Sequence, residues 1–501
     1  MIQMAAFALV PDAAPRLAAR DVTLWPPGSE APTRLGWLDV LSRRPRRSDL
    51  ASAAAKLAPM TALIGMGGSS MAPMMFSQVA ELWGSGGGQL SVVDTTHPQA
   101  VQRAFAQSAT AVAASKSGGT LEVRALLDAW LAEHAPGTVT AVTDPGSPLA
   151  SRAAAVGFDG QLLADPEVGG RFSALTVFGL LPAEFVGLDV DRLLSFKMNT
   201  AIERGAELAD ALLGQLRLGR DKMVVRVPAQ FNALALWLEQ LVAESTGKSG
   251  RGVVPVAAPD GVALSDTADA FLCTVSVGSH RPAETGERTG GGPDAIVQEI
   301  RSVAELGEWI ATWEVATALI CSAIGVDAFD QPDVAAAKAA TDVVMKRGGG
   351  EWSPVSHTSA LFDVVDQLDV DVSHIGIQAF VDDSPANYHL LGQFQGVLSQ
   401  RAGRTVSLGF GPRYLHSTGQ LHKGGPPGFA AVQVLDQYSS GAGLVDRDLP
   451  TEDLVDRLYS GMLIAAQAQG DHDSLKARER LVVRIDLASI LETFGERSGS
   501  T

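Results

Sequence analysis

Ala114-Ser-Lys-Ser-Gly-Gly-Thr-Leu-Glu122 is the stretch from which the rest of this chain is best read. The apolar run Thr110–Ala114 (TAVAA) leads into it, and helical spacing of Leu121, Ala125, Leu126 and Trp130 leads out. The pattern therefore changes from buried strand to helix across a tight loop. The loop carries three hydroxyls (Ser115, Ser117, Thr120), one cation (Lys116) and two glycines. Backbone N–H groups at a helix start lack intrahelical partners and carry partial positive charge, which suits an anion such as phosphate. Gly118 and Gly119 allow close backbone approach, and the hydroxyls add donors. Taken alone, the same loop also reads as an ordinary N-capping turn.

Working outward, the same alternation recurs. Thr61–Gly65 precedes a helix over Ser69–Leu82, Leu90–Asp94 precedes Pro98–Gln107, and Val139–Thr143 precedes Pro148–Val156, with a short strand at Leu162–Ala164. Strands joined by helices through short connections predict parallel sheets covered on both faces, with ligands outside the carboxyl ends of the strands. A second α/β unit starts near Asp221, with strands at Met223–Val227, Val253–Val256 and Phe271–Val277 and a helix over Phe231–Thr246. Gly278–Ala295 is a Gly/Pro/charged loop expected to be mobile. A long helix over Ile300–Ile324 and a break at Arg347-Gly-Gly-Gly350 follow. Further strands are expected at Ile375–Val381, Val406–Phe410 and Ala430–Leu435. The expected division is an N-terminal helical segment (1–55), a first α/β domain with the phosphate loop (56–200), a second (201–350) and a C-terminal α/β extension (351–501).

Composition narrows the function. The chain has 501 residues, 46% of them hydrophobic, which is ample for large cores in more than one domain. A net charge of −17 argues against nucleic-acid binding, and an anionic substrate would need local positive potential from helix ends and a few Lys and Arg. Cys273 and Cys321 both sit in apolar runs and read as buried thiols, giving neither a disulfide framework nor a Cys-based zinc site. No apolar run approaches the length of a membrane span, and the N-terminus lacks the cationic start of a signal peptide. The expectation is a cytoplasmic protein with no membrane partner.

Several constellations stand out. Gly65-Met-Gly-Gly-Ser-Ser70 repeats the strand-to-helix turn, and two such turns at neighbouring strand ends suggest a split site. Gly169-Gly-Arg-Phe-Ser173 offers Arg171 for an anionic oxygen, or for a surface salt bridge. Glu244 lies in the last turn of a helix ended by Gly247, where it is either a partly enclosed general base or a solvated side chain. Asp330 is a candidate cap for a helix with Pro332 in its first turn, and Lys338 lies two turns in. Arg413–Pro426 (RYLHSTGQLHKGGP) is rich in polar donors without a helical or strand period, and reads as a ligand-facing or a mobile surface loop. No carboxylate or Cys companions adjoin its two histidines, so it is not read as a metal site.

In their order, GMGGSS (65–70), SKSGGTLE (115–122), VTDPGSPLA (142–150), VGGRFSALTVFGLLPA (168–183), EQLVAESTGK (239–248) and FDQPDVAAAK (329–338) resemble the phosphoglucose isomerase family. The C-terminal RYLHSTGQLHKGG is similar to the isomerase half of transaldolase–isomerase fusions and their stand-alone bacterial relatives. The resemblance implies two sugar-isomerase-type three-layer α/β domains with parallel sheets flanked by helices, a homodimer, a sugar-phosphate substrate and no cofactor or metal. It implies phosphate binding by Ser69, Ser115, Lys116, Ser117 and Thr120, enediolate stabilisation by Arg171, proton transfer by Glu244 and a catalytic Lys338. In bacterial relatives the ring-opening His follows the Glu block closely. Here Ser245–Leu272 contains no His, and the matching words Leu415-His-Ser-Thr-Gly-Gln420 come after Lys338. The resemblance therefore points to His416 for ring opening, with His422 as a second candidate and Gly68 and Gln420 also facing substrate. The activity implied is aldose–ketose isomerisation of glucose 6-phosphate and fructose 6-phosphate. The alternatives are a sugar-phosphate binder without catalysis, or an isomerase of another phosphosugar.

Overall fold

Three parallel sheets frame the protein. The computed structural model describes residues 7–283, 295–347, 352–444 and 453–494. The first sheet holds β1 (Met60–Gly65), β2 (Gln89–Val93), β3 (Thr110–Ala114), β4 (Val139–Thr143) and β5 (Gly160–Leu163), in the order β2-β1-β3-β4-β5. The second holds β6 (Lys222–Arg226), β7 (Val254–Ala257), β8 (Ala270–Val277) and β9 (Ile296–Ile300), ordered β7-β6-β8-β9. The third holds β10 (His374–Phe380), β11 (Thr405–Phe410), β12 (Phe429–Leu435) and β13 (Leu481–Asp486), ordered β11-β10-β12-β13. Among the described residues, every pairing between these strands is parallel.

The three sheets share one winding. In each, the first strand lies between the second and the third, so the direction of winding reverses there. Loops leaving those two strands diverge and open a crevice at their carboxyl ends. In the first sheet these loops are the two Gly-rich turns, after β1 and after β3. The central strands β3, β4, β6, β10 and β12 are buried along almost their whole length. That is why they read as continuous apolar runs and not as alternating ones.

Helices cover both faces, among them Gly68–Trp83, Pro98–Gln107, Leu121–Glu133, Asn232–Thr246 and Val303–Ile324. The Asn232–Thr246 helix is buried over Trp237–Thr246, because it packs against Gly68–Trp83, β7, Val303–Ile324 and the short helix Gly419–Gly424. Cys273 and Cys321 are buried free thiols, and burial pushes both up to about 12. Among the described residues, no helix is long and apolar enough to cross a membrane.

The third unit locks onto the first through residues 94–97, just beyond β2. Arg413 grips Asp94 with two hydrogen bonds, Nε to Oδ2 (2.8 Å) and Nη2 to Oδ1 (2.6 Å), and Nη2 also reaches Asp383 (2.9 Å). His97 Nε2 meets Asp436 Oδ2 at 2.7 Å. Asp383 and Asp436 follow β10 and β12, so the third sheet's own crevice is taken up by the first unit.

Several expectations are corrected. Of the expected helical segment 1–55, the described residues 7–55 are not largely helical. Ala13–Ala18 and Arg47–Ala54 are α-helical, with 3₁₀ turns at Val22–Leu24, Ala31–Thr33 and Gly36–Asp39, because prolines at 26, 27, 32 and 45 interrupt longer helices. The segment's Leu17, Trp25, Trp37 and Leu50 instead join the main core. The long helix begins at Val303, capped by Ser302, because Ile300 ends β9. Gln331, and not Asp330, occupies the cap of the Pro332–Lys346 helix, while Asp330 pairs with Lys248 (2.7 Å). Arg413–Pro426 is no open loop. It forms a 3₁₀ turn, Arg413–His416, and the Gly419–Gly424 helix, with most of its polar groups buried on protein partners. Most of Gly278–Ala295, and the glycines of the 347–350 break, lie outside the described residues.

Candidate active site

The two Gly-rich turns stand side by side because β1 and β3 are neighbours. After β1, Gly67 adopts φ +58°, and a Cβ there would lie 2.8 Å from Gln240 Nε2 and 3.0 Å from the His416 carbonyl oxygen. A Cβ on Gly68 would stand 1.9 Å from the Gly170 carbonyl oxygen. Four segments remote in sequence thus meet here: 65–70 against the backbone of 169–173 and of His416, with the Gln240 side chain between 65–70 and 413–417.

Arg171, only 6% exposed, projects from the 3₁₀ turn Gly170–Phe172. It donates from Nε to Ser245 Oγ (2.9 Å) and from Nη2 to the carbonyls of Ala328 (2.7 Å) and Asp330 (2.8 Å). With those positions fixed, Nη1 faces Glu244 Oε1 at 3.4 Å. Gln240, one helical turn before Glu244, donates to Glu244 Oε2 (3.3 Å) and to the His416 carbonyl (2.8 Å). Lys248 anchors the end of this block on Asp330, and burial, with the Arg171 charge, lowers its pKa.

His416 completes a second pair. Its Nε2 lies 3.0 Å from Glu122 Oε1, and Gln467 Nε2 donates to the same oxygen (2.9 Å). Burial alone would raise the Glu122 carboxyl. The charge and hydrogen bond of His416, helped by Lys338, outweigh it and hold the group down at about 2. An ionised Glu122 accepts only, so His416 donates to it from Nε2. Lys338 is exposed on the Pro332–Lys346 helix, near enough for its charge to act on Glu122.

In the second turn, Gly118 N donates to Ser115 Oγ and Gly119 N to Ser117 Oγ, each at 3.2 Å, and Ser115 Oγ lies 3.3 Å from Thr120 Oγ1. Gly118 has φ +64°. Thr120 precedes the Leu121–Glu133 helix without capping it through its side chain. Ser69 occupies the first turn of the Gly68–Trp83 helix and is 8% exposed. Lys116 turns aside: its Nζ is held by Asp144 (2.7 Å) and the Asp165 carbonyl (3.2 Å).

Ser69, Glu122, Arg171, Glu244 and His416 are therefore assembled around the crevice, with Lys338 alongside. Gln420 and His422 are turned away from it. Gln420 is wholly buried, accepts from Asp333 N (2.9 Å) and donates to Asp333 Oδ2 (2.7 Å), tying this segment to the helix of Lys338. His422 stacks on Phe429 with Nδ1 3.1 Å from Gln378 Nε2, and burial pushes its pKa well down. Four contributors escaped sequence reading: Glu122, Gln240, Ser245 and Gln467. Glu122 and Gln240 had a signal, since Glu122 ends the phosphate-loop motif and Gln240 stands four residues before Glu244 on the same helix face. Ser245 and Gln467 had none of their own.

The displaced motif returns to its expected neighbour. Leu415–Gln420 comes back against the very block it follows in bacterial relatives. Gln420 Nε2 donates to the Gly247 carbonyl (3.2 Å), and Gly250 N donates to the Gly424 carbonyl (2.9 Å).

No protein-family model matches the chain. A curated relative from Rubrobacter xylanophilus, named glucose-6-phosphate isomerase, is 30% identical over 358 residues, covering 57% of this chain and 82% of that protein. The chain belongs to the glucose-6-phosphate isomerase family. Another relative of that name, from Geobacter sp. (strain M21), is 28% identical over 351 residues; the match spans 57% of this chain and 66% of that protein, just under two thirds of its length. Among solved structures, a hypothetical protein from Thermus thermophilus superposes with a TM-score of 0.50 at 24% identity, covering 68% of this chain and 94% of that one. That likeness shows the shared parallel α/β fold.

Proposed function

We propose that this chain interconverts glucose 6-phosphate and fructose 6-phosphate through a cis-enediol. The observation that carries the reading is the meeting of two acid–base pairs, Arg171–Glu244 and Glu122–His416, beside the two turns at the crevice. In this reading Ser69, Ser115, Ser117 and Thr120, with the N–H groups of their turns, take the phosphate, and Lys116 braces its loop through Asp144. The phosphate lies far from the reacting carbons, so its binding holds them in register. His416 Nδ1 and Lys338 move the proton between the ring oxygen and the C1 hydroxyl, opening the sugar. Glu244 takes the C2 proton and returns it to C1, while Arg171 steadies the negative oxygen that forms between.

The contact of His416 with Glu122 favours catalysis over binding alone, the alternative raised by the displaced motif. Family membership supports a homodimer, to be read by light scattering, and a cytoplasmic location. The 56–200 and 201–350 division, with 351–501 as a third unit, accords with the three sheets. The test is to incubate protein with fructose 6-phosphate in deuterated water. Deuterium at C1 or C2 is expected, and Glu244→Gln should lose it while still binding the sugar phosphate. Unlabelled sugar with the native protein, or full exchange with the variant, refutes the assignment.

A further inference from the structure

Gln467 stands outside every motif that carries the family resemblance, yet it touches the Glu122–His416 pair directly. It lies on the Met462–Lys476 helix of the C-terminal unit and is 2% exposed. Its Nε2 donates to Glu122 Oε1 (2.9 Å), and Thr96 Oγ1 donates to its Oε1 (2.6 Å). The amide has one tenable orientation. Turned over, its oxygen would face an ionised carboxylate that can only accept. Thr96 belongs to the 94–97 segment that Arg413 and Asp436 clamp, so its end of the relay is anchored by those two contacts.

We propose that Gln467, backed by Thr96, is a positioning residue that sets the proton affinity of His416 through Glu122. The relay runs Thr96 to Gln467 to Glu122, and His416 donates to the same Glu122 oxygen. Each additional donor on that oxygen disperses its charge and weakens its hold on the imidazolium. With Gln467 present, His416 is poised to give up its proton more readily than a bare carboxylate partner would allow. Among the described residues, other charged groups near the pair are Lys338, which acts on Glu122, and Glu244 with Arg171, reached through Gln240, which donates to both Glu244 and the His416 carbonyl. Asp471, one turn beyond Gln467, is engaged with Tyr414 (2.7 Å) and Lys423.

The inference rests on the proposed isomerase reading only for its consequence in turnover, so the test reads the imidazole itself. Histidine ring signals of the apo protein are titrated by NMR, with His416 assigned by its absence from His416→Asn. Gln467→Leu should raise the His416 midpoint by on the order of half to one pH unit. Thr96→Val should raise it in the same direction, and Thr96→Ser, which keeps the hydroxyl, should restore the native midpoint. If Gln467→Leu does not fold, the Thr96 pair decides. The acid limb of kcat/KM should move with the midpoint. A midpoint unmoved in Gln467→Leu, or in Thr96→Val where that pair decides, overturns the proposal even if the native protein isomerises sugar phosphate. A moved midpoint in a protein that never exchanges deuterium upholds the relay and removes the isomerase reading.

Discussion

Gly68→Ala probes the assembly without touching any group that moves a proton. Its Cβ would stand 1.9 Å from the Gly170 carbonyl oxygen, 2.5 Å from the Gly170 carbonyl carbon and 3.2 Å from Arg171 N, whereas ordinary contact begins at 3.4 Å. The obstacle is backbone, so no rotamer change relieves it. The 65–70 and 169–173 turns must part by about 1.5 Å, the difference between ordinary contact and the 1.9 Å approach. That motion separates the Ser69 helix start from Arg171. Displacement of a positioning group by about 1 Å costs roughly 10²-fold in rate, so kcat/KM for fructose 6-phosphate should fall at least that far. Overpacking also destabilises by roughly 1–3 kcal/mol. Gly137→Ala is the control, because nothing lies within 4 Å of its Cβ position. Its stability should stay within about 0.5 kcal/mol of native. A coupled dehydrogenase assay and urea unfolding read both quantities. A Gly68→Ala protein with native kcat/KM would show that the two turns need not touch, and would rule out a site split between them.

Other perturbations test separate joints. Removing the Ser117 and Thr120 hydroxyls together should raise KM and lower kcat, because a loosely held phosphate lets the reacting end wander; unchanged turnover would move the phosphate elsewhere. Arg413→Met leaves Asp94 buried and unpaired, so urea unfolding should show a loss of about 3–5 kcal/mol, and a change below about 1 kcal/mol would mean the C-terminal unit is not held by this pair. The Glu122 carboxyl is depressed from 4.5 to about 2 in the folded protein. Its contribution to stability is therefore present above its ordinary pKa and is lost as pH falls from about 4.5 towards 2. Glu122→Gln should be less stable than native at pH 7 and converge on it in that acid window, and a constant gap across the window would contradict the assignment.

Much of the framework was legible. Thr110–Ala114 and Val139–Thr143 coincide with β3 and β4, and Pro98–Gln107 and Pro148–Val156 with their helices. Proline and glycine mark those ends, and buried apolar runs mark the strands. β9 and β13 were missed. Both are edge strands, and β9 alternates in exposure along a sequence (IVQEI) that carries charge. The polar Arg413–Pro426 stretch misled in a different way. Its donors are satisfied by buried partners far off in the chain, such as Asp94, Asp333 and Asp471, and composition alone makes such a stretch look solvated.

The chain by itself determined the alternation of strand and helix, the two glycine turns at strand-to-helix junctions and the block that carries Glu244. Each of these is written in residues a few positions apart, through side-chain period and backbone freedom. Only the tertiary structure decided which histidine meets Glu122, that Gln467 shares that oxygen, and that Gln420 and His422 serve elsewhere. The first two contacts join residues 294 and 345 positions apart, and they exist because a third parallel sheet docks its crevice onto residues 94–97. That docking depends on shape and paired charge between whole units, which no local pattern encodes.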